Sequence, residues 1–123
     1  MNLYFLVEGK RTEKKVYPAW LAHLVPKLRR VESPDELDDC CYVIFSGEGY
    51  PSLLDVHLGN AIKDYNTSGR FDRLVVCLDV DESTAGDRVQ VVVDRASEFG
   101  FPSNQLEYHF ASSAGGSQVW PIL

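Results

Sequence analysis

The sequence predicts an α/β fold, in which helices cover both faces of a parallel β-sheet. Apolar segments of strand length alternate along the chain with longer segments whose apolar residues recur at helical spacing. This alternation is typical of parallel βαβ units in an α/β sandwich. Polar residues also follow the apolar segments, at points that a parallel sheet would bring to its carboxyl edge, where such folds bind ligands.

Four segments are predicted to be strands. Residues 3–8 and 41–47 are short, continuous apolar runs, of the kind found in sheets that are covered on both faces. Residues 73–82 are apolar and end in carboxylates, and residues 106–113 form the fourth strand. We therefore expect a three-layer sandwich with a central four-stranded parallel sheet.

The first helix is predicted to begin at Thr12 and to extend to Arg30, since apolar residues recur at helical spacing along this segment. Pro18 and Pro26 are expected to kink or divide it. Further helices are predicted over residues 52–65 and 87–99.

Two intervening segments are predicted to be loops. Residues 31–39 are polar and acidic, which favours a loop at the surface. The sequence SGEGYPS at 46–52 precedes a predicted helix, where a glycine-rich turn can receive phosphate. Its spacing matches no Walker motif, so a plain turn is the preferred interpretation.

The length and composition favour a single domain over residues 1–123. Three cysteines without a CxxC pair indicate reduced, buried thiols, and no apolar segment is long enough to cross a membrane, so we expect a cytoplasmic protein. The apolar ending QVWPIL has three interpretations: the sequence is a fragment of a longer chain, the ending packs on a partner, or it packs within the domain.

Charge is distributed unevenly along the chain, whose net charge is −6. Residues 1–30 hold seven Lys or Arg and two Glu, a net charge of +5, whereas residues 31–123 carry −11. Overall acidity argues against simple nucleic-acid binding, which depends on cations. A basic surface next to an acidic metal site is compatible with this distribution, and so is a solvated helix face.

Carboxylates at the ends of two predicted strands suggest a metal site. Asp79 and Asp81 are two residues apart, so an extended backbone places both on the same side. Such a pair repels unless water or a cation neutralises it, and oxygen ligands suit Mg²⁺ or Mn²⁺. If the first strand lies beside the third, Glu8 joins the same cluster. Three carboxylates at one edge suit metal-assisted chemistry on phosphates.

This combination resembles the Toprim domain, the catalytic domain shared by topoisomerases, bacterial primases and several nucleases. The resemblance rests on VEG at the end of the first strand, followed by Thr12-Glu13, and on LDVDE at the end of the third. The form EGKRTEKKVYP is most similar to the overcoming-lysogenization-defect (OLD) nucleases and RloB-like proteins of bacterial defence systems. Topoisomerases and primases often carry a further acidic residue after the DxD motif, for which Glu82 and Asp87 are both candidates here.

The resemblance implies a metal-dependent nuclease that cleaves DNA or RNA, with roles for eight residues. Glu8, Asp79 and Asp81 would be the catalytic residues and, together with Glu82, the ligands of Mg²⁺ or Mn²⁺. A group of neighbouring cations would bind substrate phosphates: Lys10, Arg11, Lys14 and Lys15. The biological role implied is that of an effector in antiphage defence.

Two other functions are compatible with the sequence. The chain could be a non-catalytic regulatory subunit on a Toprim scaffold that acts with a partner ATPase or as a homo-oligomer, in line with its small size and apolar ending. It could instead be a receiver-like module, although receiver domains place an acidic pair after the first strand, where this chain has a single Glu8.

Overall fold

The computed structural model describes residues 1–9, 12–49, 52–79, 85–100, 107–113 and 116–122. For residues 12–14, 79, 85–86, 107–113 and 116–122 it describes the backbone and not the side chain.

The described residues form one six-stranded sheet in the order β2-β3-β1-β4-β6-β5. The strands, in chain order, are β1 (Leu3–Val7), β2 (Arg29–Arg30), β3 (Cys41–Ser46), β4 (Arg73–Asp79), β5 (Glu107–Ser113) and β6 (Gly116–Ile122). The predicted α/β architecture with a four-stranded parallel sheet is confirmed, because β2, β3, β1 and β4 are mutually parallel.

The membership of the sheet differs from the prediction at both ends. Arg29 and Arg30, expected in the first helix, pair with Cys41 and Tyr42 as the short strand β2. The predicted strand at 106–113 corresponds to β5, but it does not lie beside β4. The strand β6 lies between them and is antiparallel to both. The apolar ending is therefore a strand of this sheet.

The helices match the predicted segments, except at the end of the first. This helix, α1 (Thr12–Leu24), continues through Pro18 and ends before Pro26. Proline disfavours helical backbone at the residue before it, which explains an end near Val25 rather than at Arg30.

The second helical segment begins with a π-helical turn, Leu53–His57, and continues as α2 (Leu58–Ser68) to the left-handed Gly69. The third helix, α3 (Ala85–Glu98), is followed by Gly100, whose φ is +83°. Within the loop predicted at 31–39, Pro34–Glu36 form a short 3₁₀ turn that Ser33 caps.

Two apolar clusters cover opposite faces of the sheet. One cluster joins the strands to α2 and α3 and includes the fully buried Leu6, Leu58 and Val92. The other cluster joins the strands to α1 through Tyr17, with Val16 and Leu21 packed against it. The protein thus has three layers, with α1 on one face and α2 and α3 on the other.

Among the described residues, every helix falls short of the length and apolar character that a membrane crossing requires.

Candidate functional site at the carboxyl edge of the sheet

The carboxyl ends of β1 and β4 lie next to each other. The two strands are parallel neighbours, with Val7 in register with Cys77, and the Glu8 amide donates a hydrogen bond of 3.2 Å to the Cys77 carbonyl. Asp79 is the last residue of β4. From ordinary strand spacing, the backbone positions of Glu8 and Asp79 are about 6 Å apart. Two of the predicted acidic residues, Glu8 and Asp79, therefore lie next to each other at the ends of the first and third predicted strands.

A loop after β3, residues Ser46–Gly49, is attached to the end of β1 through main-chain groups. The Gly47 amide donates to the Val7 carbonyl at 2.6 Å, and the Gly49 amide donates to the Glu8 carbonyl at 2.9 Å. We call this segment the β3 loop. It fixes the backbone on the carboxyl side of β1, where Glu8 is half-buried.

The β3 loop also contacts the first turn of the helix that follows it. A Cβ atom at Gly47 would lie 2.6 Å from the Cβ of Leu53, which is fully buried. The Leu53 amide donates to the Gly49 carbonyl at 2.8 Å. Glycine at position 47 therefore permits a close approach between the loop and the helix.

Glu48 and His57 are polar residues at this edge that the sequence did not single out. Glu48 has a φ of +57°, which is uncommon for a residue with a side chain, and its amide donates to the Ser46 hydroxyl. Its carboxylate lies 3.5 Å from Nε2 of His57. His57 ends the π-helical turn, and π-helical turns occur frequently at functional sites. The sequence signal at this position is the Gly-Glu-Gly triplet, whose spacing favours a plain turn.

The predicted phosphate-binding cations are described unequally. Lys10 and Arg11 lie outside the described residues, and for Lys14 the structure gives a backbone position in the first turn of α1. Lys15 is exposed. Because α1 begins at Thr12, close after β1, Lys14 and Lys15 lie in the helical turn nearest to Glu8 in the chain.

The end of β5 lies at the same edge of the sheet. Since β5 and β4 are both antiparallel to β6, they run in the same direction, and the backbone of Ser112 and Ser113 ends on the side of Asp79. The predicted position of these serines at the carboxyl edge thus agrees with the backbone topology.

The predicted metal ligands are only partly within the described residues. Asp81 and Glu82 lie outside them, and of Asp79 only the backbone is described. In the described part of the chain, no three His, Cys, Asp or Glu residues are grouped so that they could hold a metal ion. The donor chemistry fits a hard divalent cation, because all four predicted ligands are carboxylates and two of them come from adjacent strand ends.

Comparison with protein-family models, with curated proteins and with solved structures finds no match for this chain.

Proposed function

We propose that this protein is a metal-dependent nuclease of the Toprim type, which hydrolyses phosphodiester bonds of DNA or RNA with Mg²⁺ or Mn²⁺. The observation that carries the proposal is the adjacency of two strand ends. The hydrogen bond from the Glu8 amide to Cys77 joins the first strand to the strand that ends at Asp79. Two of the acidic residues on which the Toprim resemblance rests, Glu8 and Asp79, therefore stand at the ends of neighbouring strands.

The proposed roles follow from the chemistry of the residues. Asp79 and Asp81, with Glu82, would hold the cation, which when bound supplies Lewis-acid stabilisation of charge on the phosphate. Glu8 would be a further ligand or the group that moves a proton to or from an oxygen of the phosphodiester. The cations Lys10, Arg11, Lys14 and Lys15 would neutralise neighbouring phosphates of the substrate.

The β3 loop supports this proposal by fixing Glu8. Catalytic groups have to be held in place by the surrounding structure, since small displacements of a reacting group lower the rate strongly. The hydrogen bonds from Gly47 and Gly49 hold the backbone on both sides of the Val7–Glu8 peptide bond. The biological role that we propose, an effector of antiphage defence, rests on the resemblance to OLD-like and RloB-like proteins.

The test measures cleavage of plasmid DNA, of tRNA and of bis(4-nitrophenyl) phosphate in Mg²⁺ and in Mn²⁺. We expect Glu8→Gln and Asp79→Asn each to lower the rate by about 10²-fold or more, because the first removes the proposed acid–base group and the second a proposed metal ligand. Asp94→Asn, which removes an exposed carboxylate from α3, is the matched control and should leave the rate unchanged.

Two results would contradict the proposal. One is a wild-type rate in Asp79→Asn. The other is the absence of both hydrolysis and metal binding by calorimetry in the wild-type protein, which would favour the non-catalytic subunit instead.

A further inference from the structure

The β3 loop is joined to the helical segment after it by a side-chain contact as well as by main-chain bonds. Oε2 of Glu48 lies 3.5 Å from Nε2 of His57, and the two side chains are 53% and 28% exposed. Glu48 lies between the two glycines whose amides donate to the carbonyls of Val7 and Glu8. His57 therefore contacts the central residue of the segment that fixes the backbone of Glu8.

The backbone of Glu48 is strained. Its φ of +57° lies in the left-handed region, which glycine adopts freely and residues with a side chain adopt at a cost. Strained residues persist where the surrounding structure holds them in place, and they are concentrated at functional sites. Within the described part of the chain, the partner of the Glu48 carboxylate is His57. The strain at Glu48 is thus evidence that its side chain has a role, and the contact with His57 indicates which.

The π-helical turn brings His57 to the β3 loop. The Leu58 amide donates to the Leu53 carbonyl, five residues earlier, so this turn holds one residue more than an α-helical turn. The Leu53 amide in turn donates to the Gly49 carbonyl at 2.8 Å, which places the loop at the start of the helical segment. Side chains on a helix point toward its N-terminus, so the direction of the His57 side chain agrees with its contact to the loop.

We propose that His57 is a positioning residue of the candidate active site, which acts through Glu48 to hold the β3 loop against the end of β1. This inference rests on the proposed nuclease function, because Glu8 is the group whose placement the loop controls. Without the contact, the loop should leave its bonds to Val7 and Glu8 more often. Glu8 would then spend less time in the position that metal binding or proton transfer requires.

The first measurement is amide hydrogen exchange, which does not depend on activity. We expect His57→Ala to raise the exchange rates of the Gly47 and Gly49 amides by about 5-fold, the upper limit for an ion pair at the surface. His57→Gln keeps an N–H group that can reach Glu48 and should raise these rates by less than about 2-fold. His23→Ala removes an exposed histidine from the last turn of α1 and should leave them unchanged.

The second measurement is hydrolysis of bis(4-nitrophenyl) phosphate in Mn²⁺. We expect His57→Ala to lower kcat by about 5-fold, in step with the loss of the held loop, and to leave KM for this small substrate unchanged. His57→Gln should recover most of the rate, and His23→Ala should have the rate of the wild type.

Glu48→Gly separates this role from a contribution to stability. Glycine adopts a φ of +57° without strain, so the urea midpoint of unfolding should not fall. The value of kcat should nevertheless fall, because the contact with His57 is lost. A double variant that combines Glu48→Gly with His57→Ala should be no slower than Glu48→Gly alone, since both substitutions remove the same contact.

Three results would overturn the inference: wild-type exchange rates in His57→Ala, a wild-type kcat in His57→Ala, or a double variant whose loss of kcat is the product of the two single losses. Asp79-dependent hydrolysis together with a wild-type kcat in His57→Ala would remove the inference and leave the nuclease in place. If the wild-type protein did not hydrolyse the substrate, the proposed function would fail, whereas faster exchange of the Gly47 and Gly49 amides in His57→Ala would still establish that His57 holds the loop.

Discussion

The two edges of the parallel sheet are held together in different ways. At the amino edge, polar side chains make most of the connections: the Asn2 side chain accepts from the Cys41 amide at 2.9 Å and donates to the Arg70 carbonyl at 3.1 Å, and the Asp72 side chain accepts from the Asn2 amide at 2.7 Å. One main-chain bond, from the Asp72 amide to the Asn2 carbonyl at 2.8 Å, accompanies them. At the carboxyl edge, main-chain groups of the β3 loop hold the end of β1. The Asn2 side chain therefore matters for folding at the amino edge, whereas the bonds that hold β1 at the carboxyl edge do not depend on the side chain of Glu8.

This contrast predicts a separation of roles: the polar side chains of the amino edge serve stability, and the carboxylates of the carboxyl edge serve activity. Where main-chain bonds hold an edge of the sheet, its carboxylates are available for catalysis, because those bonds do not depend on the side chains. The polar side chains of the amino edge instead form the hydrogen bonds that stabilise the fold. The three predictions below test this separation and are ordered by the size of the expected effect.

The largest effect on stability is expected at Asn2, which is 8% exposed. Asn2→Ala removes both side-chain hydrogen bonds and leaves the buried Cys41 amide without its acceptor, which should lower the free energy of unfolding by about 3 kcal/mol. Urea denaturation measures this loss. Under native conditions the rate of phosphodiester hydrolysis should be that of the wild type.

The control for this prediction is Asn60→Ala, the same substitution at an exposed position of α2, for which we expect a change within about 0.5 kcal/mol. Similar losses from both substitutions would contradict the special role of the amino edge. A large loss of hydrolytic activity in folded Asn2→Ala would contradict the separation of the two edges.

An intermediate effect is expected at Gly47 in the β3 loop. Gly47→Ala would place a Cβ atom 2.6–2.8 Å from three carbon atoms of the buried Leu53, so the loop has to move. We expect a loss of about 2 kcal/mol, typical of overpacking, and a weaker affinity for Mn²⁺ because the loop no longer fixes Glu8. Urea denaturation and calorimetric metal titration measure the two quantities.

Gly49→Ala is the matched control within the same loop. Nothing lies within 4 Å of a Cβ atom at Gly49, and its cost is the positive φ of +96°, about 1 kcal/mol. Gly47→Ala should therefore be the more damaging of the two. If Gly47→Ala left metal affinity unchanged, the proposed link between the loop and Glu8 would be wrong.

The sequence predicted β1, β3 and β4 to within a few residues, because each is a continuous apolar run between polar segments. It did not predict β6, in which Pro121 argues against a strand, nor the direction in which β6 pairs with β4. Apolar periodicity marks a strand but does not determine its neighbours.

In the candidate site, too, the sequence predicts some features and not others. Glu8 and Asp79 could be placed at one edge because strand ends in parallel sheets share an edge, and the backbone topology agrees with this. The approach of Glu48 to His57 depends on a left-handed backbone at Glu48 and on a π-helical turn, neither of which follows from residue spacing. Contacts that depend on loop conformation are therefore the part of the site that the sequence does not predict.

The smallest effect is expected at Tyr4, near the amino edge, and it depends on pH. Burial raises the pKa of the Tyr4 hydroxyl well above its ordinary value of 10.0, and the neighbouring Asp64 carboxylate, which accepts a hydrogen bond of 3.3 Å from it, raises the pKa further. Above pH 10 the unfolded chain loses this proton while the native protein keeps it, so the free energy of unfolding falls as pH rises. For one group the fall is at most about 1.4 kcal/mol per pH unit. Below pH 10 both states keep the proton, and Tyr4 contributes no pH dependence.

Tyr4→Phe isolates this contribution. We expect the variant to lose about 1 kcal/mol at neutral pH through the missing hydrogen bond, and to show a shallower decline of unfolding free energy between pH 10 and pH 11, measured by urea denaturation. Tyr65→Phe is the comparison, because burial and the Asp72 carboxylate raise the pKa of Tyr65 while Arg73 lowers it. Removal of Tyr65 should therefore flatten the decline less. If unfolding free energy fell equally steeply with pH in Tyr4→Phe and in the wild type, the pKa of Tyr4 would be the same in the native and unfolded states. The contact between Tyr4 and Asp64 would then not stabilise the amino edge, and its stability would come from Asn2.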